Sequence, residues 1–351
     1  MAENKIKTKE HSSKKISSKD NKITDFLLNN AMYILIVLAV IYISIKVPAF
    51  LKLPSIVNVI SLTAAKLPIA LGIGGCIVLT GTDISAGRVV GLTACISASL
   101  LTTAFKVFPD MQSAPPIIVV LLIILLAGGL VGFVNGFSVA KFKLHPFIVT
   151  LSTQLIVYGI ILMYLKSGTN NGQTLSGLTD GYRSLITGTL FTIGTAAVPK
   201  YVLYSIILVI VMWVIWNKTT FGKNMFAVGS NEEAANVSGV NVSRTIIMVF
   251  VLAGMMYAIT GFIDGARIAS ANATTGLNYE CDAIAACVIG GVSFVGGIGS
   301  ISGIVVGVLL LQIIFAGLNF LAVDANMLYI IKGLIILIAC AIDMRKYLVK
   351  K

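Results

Sequence analysis

The chain is short of charge. Only 11% of its 351 residues are Asp, Glu, Lys or Arg, against about 25% in soluble domains, while 57% are hydrophobic and the mean hydropathy is +0.96. This excludes a soluble domain and indicates an integral membrane protein. Histidine is almost absent: the only two are His11 and His145, so a His-based triad or a zinc site has little to be built from. There is no GxxxxGK[ST] phosphate loop, and acidic residues do not recur along the apolar runs as a proton or sodium relay requires. Cys76, Cys95, Cys281, Cys287 and Cys340 show no CxxC spacing and read as small buried hydrophobes. No cofactor or metal site is therefore expected in this chain. An intramembrane enzyme is disfavoured, and so is an ion-coupled secondary transporter.

The net charge of +12 is spread in a way that points to membrane orientation and not to nucleic acid. Residues 1–24 hold seven lysines against Glu3, Glu10 and Asp20 and read as a disordered basic tail. The remainder, 25–351, reads as one all-α membrane domain with about ten spanning helices, some of them interrupted by glycine. The candidates lie at roughly 31–48, 62–80, 85–105, 115–139, 147–165, 199–216, 244–263, 282–298, 301–321 and 327–344. An even count puts both termini in the cytoplasm. Lys141, Lys143, Lys218, Lys223 and Arg244 then fall inside, and the Gly-, Thr- and Ser-rich segment 166–198 falls outside. The glycines make 282–298 the weakest span.

An internal repeat is legible. IGGCIVLTGTDISAGRVVGL (73–92) aligns without gaps to IGGVSFVGGIGSISGIVVGV (289–308). Gly74, Gly75, Gly81, Gly87 and Gly91 match Gly290, Gly291, Gly297, Gly303 and Gly307. In the topology above both copies run from outside to inside and back. Paired Gly-interrupted segments of this kind mark transport sites, because broken helices expose backbone dipoles to a cavity. In the first copy Asp83, Ser85 and Arg88 interrupt apolar text. Either they line or gate a polar path, or Asp83 or Ser85 caps the next helix while Arg88 snorkels to the cytoplasmic face. The second copy has Gly299 and Ile304 in place of the two charges. Its polar groups are Ser293 and, just upstream, Glu280 and Asp282: either Asp282 and Ser293 line or gate the path with the residues of the first copy, or the two acids anchor a helix start near the headgroups.

GSNEEAANVSG (229–239) lies in the longest expected cytoplasmic connection, about 217–243. Ser230 and Glu233 have the spacing of a capping box, Glu232 and Glu233 complement the helix dipole, and Gly239 is a natural stop. A helix this short needs something to pack on, and Ala234, Ala235 and Val237 offer a small, smooth face to it.

Glu233, Ala234, Ala235 and, four residues on, Gly239 match the EAA-x-x-x-G pattern of ABC-importer permeases. With TGTDISAGR (80–88), HPFIVTLST (145–153), FGKNMFAVGSNEEAANVSGVNV (221–242) and YECDAIAACVIGGVSFVGGIGS (279–300), the chain resembles, from about residue 30 to its end, the bacterial monosaccharide permeases of the ribose, xylose, arabinose and galactose type. GTD followed by SAGR is most similar to the galactose/methylgalactoside members. The resemblance implies a permease in the cytoplasmic (inner) membrane, forming a homodimer. It would be driven by a separate ABC ATP-binding subunit that carries ATP and Mg, and fed by an extracytoplasmic sugar-binding protein. Ser230, Glu232, Glu233, Ala234, Ala235 and Gly239 would form the coupling helix. A permease for ribose, xylose, arabinose or a nucleoside is the alternative within the family.

Overall fold

A computed structural model describes residues 40–348. The lysine-rich tail, half of the first expected span and residues 349–351 lie outside the described residues. Among the described residues, six helices are long and apolar enough to cross a membrane. They are α1 (Leu53–Val78), α3 (Ile117–Phe142), α4 (Pro146–Lys166), α6 (Lys200–Lys218), α9 (Val242–Ile268) and α11 (Ile301–Phe320). Leu122, Leu126, Leu130, Leu155, Ile156, Met163, Ile206 and Ile210 on α3, α4 and α6 are exposed. A soluble fold would bury a band of that size, so the band faces lipid.

Two expected spans prove to be short. The stretch 85–105 contains α2 (Ala86–Leu100) and 282–298 contains α10 (Tyr279–Ile289), of 15 and 11 residues. At about 1.5 Å per residue neither reaches across about 30 Å of hydrocarbon. The last helix, α12 (Ala325–Leu348), is 24 residues long and covers the expected span 327–344. Of the ten expected spans, six are clear among the described residues, α12 covers a seventh, two are short, and the first is only half described. The segment 166–198 is also structured. It carries α5 (Asp180–Thr187) and most of an antiparallel hairpin, β1 (Thr189–Ile193) with β2 (Ala196–Pro199), which qualifies the all-α expectation.

Local chemistry sets the helix ends. His145 caps α4, its Nδ1 accepting from the Phe147 N–H at 3.3 Å, and Pro146 occupies the first turn, where its missing N–H costs nothing. Thr219 caps α7 (Thr220–Ser230), Asn231 caps α8 (Glu232–Val237), Asn241 caps α9 and Ser300 caps α11.

Helix α9 is the axis of the domain and packs on α3, α1 and α2. The α3 interface depends on Gly128, Gly132 and Gly136, spaced one turn apart. They face the backbone of Gly254, Phe250 and Ile247 on α9, so the two helices approach more closely than side chains would permit. The loops gather at two ends. One holds the 79–85 turn, the 143–145 link, α7, α8 and the 290–300 turn, tied together by the Gly297 N–H donating to the Val78 carbonyl at 2.9 Å. The other holds the hairpin and the bridges Thr102 to Leu178 and Leu175 to Ala271. Both repeat turns lie at the same end, so the two copies run in the same direction, as the sequence topology expects.

A Cβ at Gly132 would fall on the Phe250 carbonyl oxygen, which is backbone and cannot rotate away. Gly132→Leu is expected to prevent α3 from seating on α9, whereas Leu126→Ala on the lipid face should be nearly neutral. The thermal midpoints of the two purified variants in detergent check this.

Candidate functional site

Two regions carry polar chemistry. The first is the surface around α8. The predicted capping box is corrected: Ser230 ends α7, its Oγ donating to the Phe226 carbonyl at 2.8 Å. The cap is Asn231, whose Oδ1 accepts from the Ala234 N–H at 2.8 Å. Asparagine and serine are equally good caps, but α7 incorporates Ser230 into its own last turn. Glu233, at the second position of the helix, has no box to close and is exposed. Gly239 does stop the helix. Its φ is +84°, its N–H donates to the Asn236 carbonyl and the Val240 N–H donates to the Ala235 carbonyl, each at 3.0 Å. This is a Schellman ending.

The packing face of α8 also differs from expectation. Ala235 is buried against the domain, while Glu232, Glu233, Ala234, Asn236 and Val237 stay exposed, Val237 at 88%. Glu232 pairs with Lys143, a solvent-exposed ion pair that contributes at most about 1 kcal/mol. Beside it an open cleft of about 940 Å³ is lined by Lys143, Glu232, Glu233, Asn236, Gly239 and Ser243. A helix anchored by one alanine thus presents two carboxylates and a bare valine.

The second region is the polar interior. Asp83 is 1% exposed. Its Oδ1 accepts from the Ser85 N–H at 3.0 Å and the Ser85 Oγ at 2.6 Å. Asn135 Nδ2 donates to Ser85 Oγ at 3.0 Å, and Thr153 Oγ1 donates to Asn135 Oδ1 at 2.6 Å. Thr150 Oγ1 takes the Ile84 N–H at 3.2 Å and donates to the Thr82 carbonyl. The HPFIVTLST segment therefore clamps the TGTDIS turn from which α2 starts. Arg88 does not snorkel. Its Nη1 donates to the Ala273 carbonyl at 3.1 Å and its guanidinium lies 4.3 Å from the Tyr158 ring centre.

Glu280 and Asp282 lie in the first turn of α10, as expected of a helix start. Glu280 is buried, and Asp282 shares a crevice with Lys66, near the middle of α1. Its Oδ2 accepts from Lys332 of α12 at 2.9 Å. Ser293 is also buried. It organises the 290–300 turn, its N–H donating to the Ile298 carbonyl and its Oγ accepting from the Val295 N–H.

The repeat glycines act in pairs. Gly87 and Gly91 on α2 face the Gly276 and Thr275 carbonyls, while Gly303 and Gly307 on α11 face those of Gly290 and Ala286. In each copy the second helix uses i, i+4 glycines to admit another backbone. Gly74 faces Ile304 and Cys287, so the copies also touch. Gly75 lies under Val249, and Gly81 under Pro146. Gly291 has open space, and Gly297, at φ +66°, lies against Ser230 at the foot of α8.

The sequence reading missed one cluster. Asp264 on α9, fully buried, binds Arg267 Nε at 2.8 Å and Lys66 Nζ at 3.4 Å, and Lys66 also lies over the Tyr279 ring. The signal was present: Lys66 is a lone charge inside a predicted span, and such residues mark function or pairing. Its partner lies 198 positions away, beyond any local pattern. Among the described residues no group of three His, Cys, Asp or Glu could hold a metal.

Residues 55–340 match the family of branched-chain amino acid transport system permease components. The chain is 41% identical to the galactose/methyl galactoside import permease protein MglC of Haemophilus influenzae, over 94% of this chain and 98% of that protein. It is 42% identical to MglC of Escherichia coli over 93% and 97%. To the ribose import permease protein RbsC of Bacillus subtilis it is 34% identical over 88% and 90%. No solved structure matches the chain.

Asp264→Asn leaves two part-buried cations, Lys66 and Arg267, without a counter-charge. It is expected to cost about 3–5 kcal/mol and to lower the thermal midpoint sharply. Removing Lys66 as well, as Lys66→Met with Asp264→Asn, should recover part of that loss. Melting curves of the single and double variants in detergent check it.

Proposed function

The chain belongs to the family of branched-chain amino acid transport system permease components, and we propose that it is the membrane-spanning permease of an ATP-driven importer of galactose or a methyl galactoside. The observation that carries the substrate is the near-full-length identity to galactose/methyl galactoside import permeases, higher than that to the ribose permease. It is a transport subunit and not an enzyme, a multi-pass protein of the inner membrane. In our reading both termini are cytoplasmic, two copies form a homodimer, and a sugar-binding protein delivers substrate from outside. ATP and Mg act on a separate ATP-binding subunit.

The mechanism follows from the two polar regions. The exposed face of α8, with Glu232, Glu233, Ala234 and Val237, suits insertion into a groove of the ATP-binding subunit, and the cleft beside it leaves room for the groove's wall. Closure of that subunit around ATP presses on α8. The Gly239 stop leads within two residues to Asn241, the cap of α9. At the other end of α8, Gly229 and Ser230 abut Gly296 and Gly297 of the 290–300 turn, so a push on α8 reaches α10 through backbone contact. The 79–85 turn is joined to the same point through the Gly297 to Val78 hydrogen bond. Asp83, Ser85 and Arg88 hold that turn rigid in this reading, and Asp282 and Ser293 lie on the element that moves. A neutral sugar needs hydrogen-bond partners and small-residue surfaces along its way, which the Gly-, Ser- and Thr-rich interior supplies.

Proteoliposomes holding this chain, its ATP-binding subunit and the sugar-binding protein should import D-galactose only when ATP is present. Import that runs on an ion gradient without ATP contradicts the reading. The double variant Glu233→Arg, Gly239→Val, which reverses a charge and strains a left-handed residue by about 1–2 kcal/mol, should insert normally yet fail to co-purify with the ATP-binding subunit. Undiminished co-purification removes α8 from the coupling role.

A further inference from the structure

Arg88 holds a charge at mid-bilayer depth on a face that this chain does not close. Its guanidinium lies 4.3 Å from the Tyr158 ring centre. Tyr158 is about 18 Å along α4 from Pro146 and about 12 Å from Lys166, at about 1.5 Å per residue. Arg88 is only half-buried there, and so are Tyr158 and, one turn before it, Gln154. A charge facing lipid at that depth is costly, so such residues face a bundle interior or a water-filled cavity. The backbone gives an independent sign. Residues 269–278, between α9 and α10, contain no helix, yet they reach the same depth. The Ala273 carbonyl accepts from Arg88 Nη1 at 3.1 Å, and the carbonyls of Thr275 and Gly276 lie against Gly91 and Gly87 of α2. Thr274 among them is exposed. Irregular backbone at membrane depth is tolerated only inside protein or beside a water-filled cavity.

Ala273 and Tyr158 fix the guanidinium and leave most of its hydrogen-bonding capacity unspent. One of five N–H donors goes to the Ala273 carbonyl, and Arg88 forms no ion pair among the described residues. We propose that the face made by Arg88, Tyr158, Gln154 and the 272–275 loop borders the sugar path, which the second copy closes from the opposite side, and that Arg88 donates hydrogen bonds to the hydroxyls of the passing monosaccharide. The ligand class follows from the surroundings. The Glu280 carboxylate lies against Gly87, next to Arg88 in the chain, so the pair carries no net charge and suits a neutral polyol better than an anion. The proposal rests on the sugar-import reading above and on its homodimer.

Two measurements on the full assembly in proteoliposomes test it. The first uses a chain with Cys281→Ser and Cys340→Ser, which leaves the buried Cys76, Cys95 and Cys287. Thr274→Cys in that chain should be modified by a charged, membrane-impermeant methanethiosulfonate. Ile156→Cys, at the same depth on the exposed opposite side of α4, should not. The second is uptake of D-galactose and of those monodeoxy analogues that load the binding protein, at saturating sugar, with thermal midpoints alongside. In the wild type the analogue lacking the hydroxyl held by Arg88 should enter about tenfold more slowly than galactose, the loss of one charge-assisted hydrogen bond. Arg88→Met should abolish that preference, and Arg88→Lys, which keeps the charge without the fork, should retain part of it. An unreactive Thr274→Cys, or an equally reactive Ile156→Cys, overturns the wet face. Equal entry of every analogue in the wild type overturns the sugar contact. An equal loss for every sugar in both Arg88 variants overturns it too, because the side chain is then structural. If the wild-type assembly imports no galactose, the sugar-import reading fails and the sugar contact with it, while reagent access to Thr274→Cys still decides whether the face is wet.

Discussion

A helix that begins inside an apolar slab leaves its first N–H groups and any nearby charge without water, and the interior of this protein is arranged around meeting that demand at α2 and α10. At α2 the solution is local. Asp83 takes the Ser85 N–H, Thr150 takes that of Ile84, and Asn135 and Thr153 complete the chain. At α10 the solution is an ion network, with Asp282 on Lys332 and Asp264 between Lys66 and Arg267. Both short helices are held by glycines at i, i+4 spacing, on α2 in one copy of the repeat and on α11 in the other. Without that close approach, the buried polar groups would stand too far apart to satisfy one another.

The same glycines explain how a signal at the surface can reach the interior. Helix α8 touches the domain through Ala235, and its foot meets the 290–300 turn where the Gly229 backbone lies against Gly296 and Ser230 against Gly297. Backbone against backbone does not absorb displacement by changing rotamers. A short, stiff helix between two turns transmits a push better than a long one packed along its length, and α10 is such a helix. The ion pair from Asp282 to Lys332 links its motion to α12.

Much of this was legible in the sequence. The repeat, the position of α8 and the Gly239 stop follow from residue spacing, whereas the direction of the repeat depends on how many spans lie between its copies. The errors have physical causes. Ser230 and Asn231 are adjacent residues with equal capping power, and only the packing of α7 decides between them. The stretches 85–105 and 282–298 are apolar enough to span, yet they fold as short helices because Thr102 and Ser293 are bound into turns. Arg88 reads as a snorkelling side chain until Tyr158 and Ala273 are brought beside it by tertiary contact. Lys66 is the plainest omission: one charge scarcely lowers the hydropathy of a 26-residue helix, and its partner Asp264 is remote in sequence.

The central claim is that α8 drives α10 relative to α1. Spin labels at the exposed Cys281 of α10 and at Asn58→Cys near the start of α1, with Cys340 replaced, report that distance by pulsed electron resonance in the assembled transporter. The account predicts a distance distribution that shifts when ATP is bound and returns after hydrolysis, and that loses this shift when α8 is uncoupled. A distribution unchanged by ATP while sugar is being imported would contradict it.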